Sequence, residues 1–275
     1  MVAGSNPVIP TTFNFYVTVK KKVFLTNDDG VYAVGLSALE YALNRDRFSV
    51  FTVAPLYEKS GASHSITLEK PLRVKKLSES KYAVDGTPVD SVFVGINELV
   101  PERPAIAFSG INKGANIGND LAYSGTVAAA IEAFNNGITS VAVSLFISDY
   151  FNFDDVCFEK CAELFVSKIL PEIENKTEEL YAKPFLFNVN IPQSALEKDS
   201  VLIKWTFPGK RNYGGEVIKR VDPRGKEYFW IGGDQYSFAD IPGSDCNAVL
   251  EGAVSISPLK LSYFDEERTN FYSNK

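Results

Sequence analysis

Short apolar segments that each run into a polar, glycine-containing loop recur along this chain. KVFLT leads into NDDG at residues 27–30, SVFTVAP leads into LYEKSGASHS, and PAIAF leads into SGINKGANIGND. Continuous apolar runs of this length are typical of strands buried on both faces of a parallel sheet. Helical patterns lie between them, so the order predicts βαβ units and an α/β fold with helices on both faces of a mostly parallel sheet.

Three segments carry the apolar spacing of amphipathic helices. GLSALEYALNRDRF places three leucines on one stripe, and SGTVAAAIEAFNNG does the same with Val127, Ile131 and Phe134 before Gly137. The segment DDVCFEKCAELFVSKIL predicts a third helix that ends near Pro171.

Beyond about Ile191 the pattern changes, and EVIKRVDPRGKEYFWIGG predicts a β-hairpin. Pro223 suits the first central turn position, and Gly225 suits a position with positive φ. The hairpin strands are rich in charged and aromatic residues, so the hairpin either projects to pair with another subunit or is an ordinary surface hairpin. We divide the chain into an N-terminal extension (1–21), an α/β core (22–192) and a C-terminal segment of the same domain that carries the hairpin (193–275).

Composition excludes several classes of protein. The 275 residues allow one large domain or two small ones, and a net charge of −6 argues against coating a nucleic-acid duplex or an anionic membrane. No run approaches the ~18 apolar residues of a membrane span.

The first 22 residues match a secretory signal poorly and include the strand-like FNFYVTV. Three cysteines without metal-type spacing predict a reduced compartment, and we expect a cytoplasmic protein.

Several catalytic designs fit the sequence poorly. The chain has a single histidine, His64, which lies between Ser63 and Ser65, whereas a Ser-His-Asp triad needs convergence in space and not adjacency in sequence. No GKS or GKT follows a glycine loop, and GANIG lacks the glycine spacing of a dinucleotide site. The paired aspartates are adjacent, unlike those of aspartyl-phosphate phosphatases.

Two adjacent carboxylates, Asp28 and Asp29, follow the first strand directly. Taken alone, NDDG is an ordinary solvated turn. Because ligands bind outside the carboxyl ends of parallel strands, however, this loop should meet those that carry Ser60, Ser109 and Asn112. Carboxylate, hydroxyl and amide oxygens suit Mg²⁺, Mn²⁺ or Ca²⁺ better than Zn²⁺ or Cu²⁺. The sequence therefore predicts a hard-cation site at this edge.

The segment YSGTVAAA predicts an anion site beside it. Ser124, Gly125 and Thr126 lie where a helix begins, and the free amides and dipole of a helix start favour a phosphate. The alternative is that Ser124 or Thr126 only caps the helix.

Five ordered motifs, LTNDDG, KSGASHSITLEKPL, VDGTPVDSV, SGINKGANIGND and YSGTVAAAIEA, resemble the SurE family of survival-protein nucleotidases. The resemblance is dense from residue 23 to about 145 and thinner through KRVDPRGKEYFWIGG and SDCNAVLEGAVSISPL. It implies a Rossmann-like core and a C-terminal hairpin exchanged between the subunits of a dimer or tetramer.

The resemblance also implies a phosphatase that removes phosphate from nucleoside 5'- and 3'-monophosphates, and in some members acts on short polyphosphate. One divalent cation per subunit, Mg²⁺ or Mn²⁺, is implied, with Asp28 and Asp29 in the catalytic centre. The implied metal ligands are Asp28, Asp29, Ser60 and Asn112, and the implied phosphate contacts are Gly61, Ser109, Gly110, Ser124, Gly125 and Thr126.

Two other classes of function remain open from the residues. A nucleotide-binding module without turnover would use the glycines and the helix start, but it would have little use for two aspartates. A metal-independent hydrolase would rely on Ser63 and His64 instead.

Overall fold

A nine-stranded, mostly parallel sheet forms the centre of the structure. The computed structural model describes residues 20–148, 153–177, 180, 182–198, 200–212, 217–231 and 237–261. The strands of the central sheet are β1 (Lys21–Thr26), β2 (Phe48–Pro55), β3 (Val74–Ser78), β4 (Lys81–Val84), β5 (Ile106–Lys113), β6 (Ser140–Phe146), β7 (Leu186–Pro192), β8 (Ile203–Trp205) and β11 (Val254–Pro258). Their order is β3-β4-β2-β1-β5-β6-β7-β11-β8. Strands β4, β2, β1, β5, β6 and β7 are parallel, whereas β3 and β11 run antiparallel to their neighbours β4 and β7.

Helices cover both faces of this sheet and make a three-layer α/β fold, as predicted. The helices are α1 (Val34–Arg45), α2 (Pro88–Val94), α3 (Gly125–Asn135), α4 (Val156–Leu164), α5 (Leu170–Lys176) and α6 (Asp245–Leu250). Alternation along β1 assigns the faces, because Val23 and Leu25 join the core cluster under α1, α4 and α5, whereas Phe24 joins the cluster under α2 and α3. Within the part of the chain that the structure describes, no helix combines the length and apolar character that a membrane crossing requires.

The first two predicted helices are confirmed as α1 and α3, but the third does not end near Pro171. Helix α4 continues through a π-helical turn, Phe165–Ile169, into α5, which ends at Lys176. Pro171 occupies the first turn of α5, where a missing amide hydrogen is tolerated. Leu170 and Ile173 of α5 are fully buried, so packing against the sheet favours continuation of the helix.

The predicted hairpin is confirmed and forms a separate two-stranded sheet. Strand β9 (Val217–Val221) pairs antiparallel with β10 (Glu227–Ile231). Gly225 has φ +80° and donates its amide hydrogen to the carbonyl of Asp222 at 3.0 Å, which closes the turn around Pro223. All residues of both strands are exposed.

The C-terminal segment also contributes to the central sheet, since β11 pairs with β7 and β8 pairs with β11. The domain boundaries inferred from the sequence stay a prediction. The strand-like FNFYVTV of the N-terminal extension lies outside the described residues.

Candidate active site

The loops that follow β1, β2 and β5 meet at one edge of the sheet. The amide of Lys59 donates to the carbonyl of Asp28 at 2.8 Å, and the amide of Val31 donates to the carbonyl of Pro55 at 2.7 Å. These backbone bonds join the loop after β1 to the loop after β2. The carboxylate pair and the Ser60 loop are therefore neighbours, as parallel strands require.

Asp28 is buried against the start of helix α3. Thr126 donates its hydroxyl hydrogen to Asp28 Oδ1 at 2.5 Å, and the backbone amides of Asp28 and Thr126 also donate to this carboxylate. A Cβ at Gly125 would lie 2.9 Å from Asp28 Cβ and Oδ2, so only glycine permits this approach. Burial raises the pKa of Asp28, and these hydrogen bonds oppose the rise.

Asp29 lies beside Asp28 and is less buried. Burial, followed by the charge of Asp28, raises the pKa of Asp29 to about 6. The backbone amide of Lys113 donates to the Asp29 carboxylate and, with the Lys113 charge, opposes the rise. Burial and the neighbouring negative charge both disfavour the ionised pair. The two carboxylates therefore favour binding either a proton or a cation.

Ser60 and Gly61 lie on the exposed rim. The Ser60 hydroxyl donates to Glu58 Oε1 at 2.8 Å, which leaves the oxygen lone pairs of Ser60 for a further partner. Glu58 is a third carboxylate at this edge, and its charge contributes to the raised pKa of both Asp28 and Asp29.

The end of β5 supplies Ser109, Gly110 and Asn112. The Ser109 hydroxyl is buried without a hydrogen-bond partner among the described residues, as is the hydroxyl of Thr26, which pairs with it on β1. Gly110 has φ +145°, and a Cβ there would lie 2.3 Å from the carbonyl oxygen of Val143. The side-chain nitrogen of Asn112 donates a hydrogen bond to the Gly114 carbonyl at 2.8 Å, so the side-chain oxygen of Asn112 remains for a cation.

At the start of α3, some polar groups of the predicted phosphate site already hydrogen-bond to other groups of the protein. The Ser124 hydroxyl accepts the amide of Val127 at 3.0 Å, so Ser124 does cap the helix, and its hydroxyl hydrogen remains for a ligand. Both donors of Thr126, hydroxyl and amide, point to Asp28. Thr126 thus orients a carboxylate, and its predicted contact with phosphate stays untested.

Asp90, which the sequence analysis did not single out, anchors the Ser60 loop. Its carboxylate accepts the Thr67 amide at 2.8 Å, the Thr67 hydroxyl at 2.6 Å and the Thr87 amide at 2.8 Å. The Thr87 hydroxyl donates to the Ser65 carbonyl at 2.8 Å, and Thr87 caps α2 together with Asp90. VDGTPVDSV thus forms a capping box that also holds the Ser60 loop. The TPVD spacing predicts the helix cap, but it does not predict the hydrogen bonds to Thr67.

Three buried asparagines, also missed, support the loop after β5. The carbonyl of Asn116 accepts hydrogen bonds from the side chains of Asn188 at 2.8 Å and Asn190 at 2.9 Å, and its amide donates to Asn190 Oδ1 at 2.8 Å. Asn188 and Asn190 lie on one face of β7 and are fully buried. The alternation NVN within an apolar strand was the available signal.

The contacts of Ser63 and His64 do not resemble a nucleophile and its base. The Ser63 hydroxyl donates to the Ala122 carbonyl at 2.7 Å, and His64 Nε2 lies 3.1 Å from Glu132 Oε2. The hydroxyl hydrogen that a base would remove is therefore directed to a backbone carbonyl.

A cavity of about 760 Å³ lies at the opposite edge of the sheet, around Phe185, Phe187 and Trp205. Phe185 precedes β7, whose carboxyl end faces the carboxylate pair, so this cavity is remote from the pair. Its described lining residues include no acidic side chain.

The chemistry of the donor set fits a hard divalent cation. In the described part of the chain, no three or more His, Cys, Asp or Glu side chains form a metal-type cluster. A cation at Asp28 and Asp29 would therefore also need hydroxyl and amide oxygens, as Ser60 and Asn112 offer. It would offset the burial that mainly raises the pKa values of both carboxylates, and the smaller repulsion from neighbouring carboxylates.

Comparisons with known proteins all identify the same family. Residues 23–215 match the family model described as survival protein SurE. The chain is 45% identical to the 5'-nucleotidase SurE of Geotalea daltonii over 240 residues, which covers 87% of this chain and 93% of that protein. It is 42% identical to the 5'-nucleotidase SurE of Myxococcus xanthus over 254 residues, 90% of each protein. The crystal structure of the SurE protein from Aquifex aeolicus superposes with a TM-score of 0.77 at 36% identity, covering 92% of this chain and 100% of that one.

Proposed function

Because this chain belongs to the survival-protein SurE family, we propose that it is a nucleotidase, a metal-dependent phosphatase that hydrolyses nucleoside monophosphates to nucleoside and phosphate. Its relatives are named as 5'-nucleotidases. We extend the proposal to 3'-monophosphates and to short polyphosphate. The observation that carries it is the adjacent carboxylates of the buried Asp28 and the less buried Asp29, with Asp28 held against the start of α3 beside the Ser124 hydroxyl.

We assign one divalent cation per subunit, Mg²⁺ or Mn²⁺, to the oxygens of Asp28, Asp29, Ser60 and Asn112. When bound, the cation would supply Lewis-acid polarisation of a phosphoryl oxygen and neutralise the two carboxylates. The hydrogen bond from Ser60 to Glu58 orients the serine lone pairs, and the bond from Asn112 to Gly114 orients the amide oxygen.

The chain's own groups would bind the phosphate and accept a proton. Gly61, Ser109, Gly110, Ser124 and Gly125 form the phosphate cradle in this proposal, with donors from the buried Ser109 hydroxyl, the Ser124 hydroxyl and the backbone amide of Gly125. An in-line water attacks phosphorus, the bond to the nucleoside oxygen breaks, and the leaving oxygen takes a proton from solvent. The water proton passes to one of the paired carboxylates, and Asp29 is the better placed because it is less buried.

We further propose that the subunits assemble through the β9–β10 hairpin into a dimer or tetramer. The hairpin exposes Phe229, Trp230 and Ile231 on a ribbon with no covered face, and Ile231 is 91% exposed. An isolated two-stranded ribbon with this much apolar surface is marginally stable alone. We place the enzyme in the cytoplasm, because Cys157, Cys161 and Cys246 are all free thiols.

The decisive experiment measures phosphate release from adenosine and guanosine 5'-monophosphates with Mg²⁺ or Mn²⁺, after chelation, and after metal is restored. We expect activity that chelation abolishes and metal restores. His64→Ala should keep appreciable turnover, since the geometry gives His64 no proton to remove from Ser63. A rate that chelation leaves unchanged would contradict metal dependence, and nucleotide binding without release would indicate a binding module.

A further inference from the structure

Three exposed tyrosines lie on the loops that carry the carboxylate pair, the Ser60 loop and the start of α3. Tyr123 immediately precedes the buried Ser124, yet its side chain is 63% exposed. Tyr57 and Tyr32 are 67% and 65% exposed and flank Gly30, where a Cβ would lie 3.2 Å from the Tyr57 backbone. Each of these rings therefore offers an exposed aromatic face to a ligand.

The backbone of Tyr123 is held firmly although its ring is exposed. Its carbonyl accepts the amide of Ser63 at 3.3 Å, and its amide donates to the Asp120 carbonyl at 2.9 Å. Tyr123 therefore lies where the Ser60 loop meets the start of α3. A ring carried by a fixed backbone is a better binding surface than one on a mobile loop, because less freedom is lost on binding.

The position of the phosphate determines what this ring can contact. In the proposed function, on which this inference rests, the phosphate lies at the start of α3 beside the buried Asp28. The remainder of a nucleotide must then extend from this closed end towards solvent, past the residue before Ser124. We propose that Tyr123 is the stacking surface for the nucleobase, with Tyr57 at the far side of the Asp28–Gly30 turn as a second aromatic contact.

Stacking determines the substrate range as well as affinity. Every nucleobase has a π face, so recognition by stacking tolerates purines and pyrimidines alike. We therefore expect base-free sugar phosphates to bind less tightly than nucleotides, because they lack the π face that Tyr123 contacts.

The test compares adenosine 5'-monophosphate with ribose 5-phosphate, which carries the same phosphoester but no base. Tyr123→Ala should lower kcat/KM for the nucleotide by about five- to a hundredfold, the range measured for loss of a base-aromatic stack. Its kcat/KM for ribose 5-phosphate should stay within about twofold, and Tyr123→Phe should behave as wild type on both. Tyr41→Ala is the matched control, since Tyr41 is 64% exposed but lies on α1.

Two outcomes would overturn the inference. Equal losses on both substrates would place Tyr123 at the phosphate end, and no loss on either would remove it from the site. If wild type releases phosphate from neither substrate, the proposed function fails. Calorimetry with the same two compounds then tests the stacking separately. If Tyr123 stacks on the base, wild type binds adenosine 5'-monophosphate more tightly than ribose 5-phosphate, and Tyr123→Ala binds the two compounds about equally.

Discussion

Thr126 and Asp28 are 98 residues apart in sequence and share a hydrogen bond of 2.5 Å between Thr126 Oγ1 and Asp28 Oδ1. The bond joins the carboxyl end of β1 to the first turn of α3, so the proposed cation site and the proposed phosphate site are fixed relative to each other. Each residue is buried, and the Thr126 amide adds a second bond to the same carboxylate. This geometry defines what single substitutions should do.

Asp28→Asn keeps the shape of the side chain and removes its charge. We expect weaker binding of Mn²⁺ and a loss of about a hundredfold or more in kcat, because the substitution would neutralise a proposed ligand of the cation. Calorimetric titration with Mn²⁺ and phosphate-release assays measure the two effects. Asp155→Asn, at an exposed aspartate that makes no cap hydrogen bond, is the control. Wild-type metal affinity in Asp28→Asn would exclude Asp28 as a ligand.

Thr126→Val removes one donor to Asp28 without changing side-chain volume. Since the hydroxyl orients the carboxylate, metal affinity should fall about ten- to a hundredfold. Thr126→Ser restores the hydroxyl and should recover most of it. If the valine and serine variants bind Mn²⁺ equally well in calorimetry, the hydroxyl has no orienting role.

Asn112→Asp separates a turn former from a ligand. If the amide oxygen faces the cation, aspartate adds a negative charge near an incoming phosphate, and two unit charges ~4 Å apart interact by about 4 kcal/mol at an effective dielectric of 20. Metal should then bind at least as tightly, while the KM for a nucleoside monophosphate rises. A variant that matches wild type in metal affinity and KM would leave Asn112 with only its hydrogen bond to Gly114.

The stability of the metal-free protein should fall as pH rises. The folded pKa of Asp29, about 6, lies above its ordinary value of 3.8, so the folded state holds this proton more tightly than the unfolded state. The associated stability is present below pH 4 and is lost as pH rises through 6. It amounts to about 3 kcal/mol at most, at 1.36 kcal/mol per pKa unit. Urea unfolding with chelator at pH 4.5 and 7.5 measures it, and Asp29→Asn should show a smaller difference between the two pH values.

Ile231→Glu should lower the mass of the particle in light scattering. A charge at a residue that is 91% exposed in the single subunit cannot be buried in a contact between subunits without a large desolvation cost. Val156→Glu, at an apolar residue of α4 that is 49% exposed, should leave the mass unchanged. The same mass for Ile231→Glu and wild type would return the hairpin to an ordinary surface feature.

The sequence predicted most of the fold because strands and helices here follow local patterns. The apolar runs, the helical stripes and the DPRG turn all depend on residues close together in the chain, and the structure has them as α1, α3 and the β9–β10 hairpin. It also predicted that the loops after β1, β2 and β5 would meet, since parallel strands end at one edge.

Long-range partners could not be predicted in this way. Asp90 bonds to Thr67, 23 residues earlier, and Asn116 bonds to Asn190, 74 residues later. No local sequence pattern predicts either of these pairings. Pro171 was misinterpreted for a related reason, because tertiary burial of Leu170 and Ile173 outweighed the local tendency of proline to end a helix.

The bond from the Thr67 amide to the Asp90 carboxylate makes a loop amide depend on a helix cap. The loop around Ser60 and the first turn of α2 therefore cannot open independently, since either movement breaks the same set of bonds. In hydrogen exchange, the Thr67 amide should be as protected as the capped amides of Thr87 and Asp90, although Thr67 belongs to no helix or strand. Local unfolding of the first turn of α2 would thus also free the loop around Ser60.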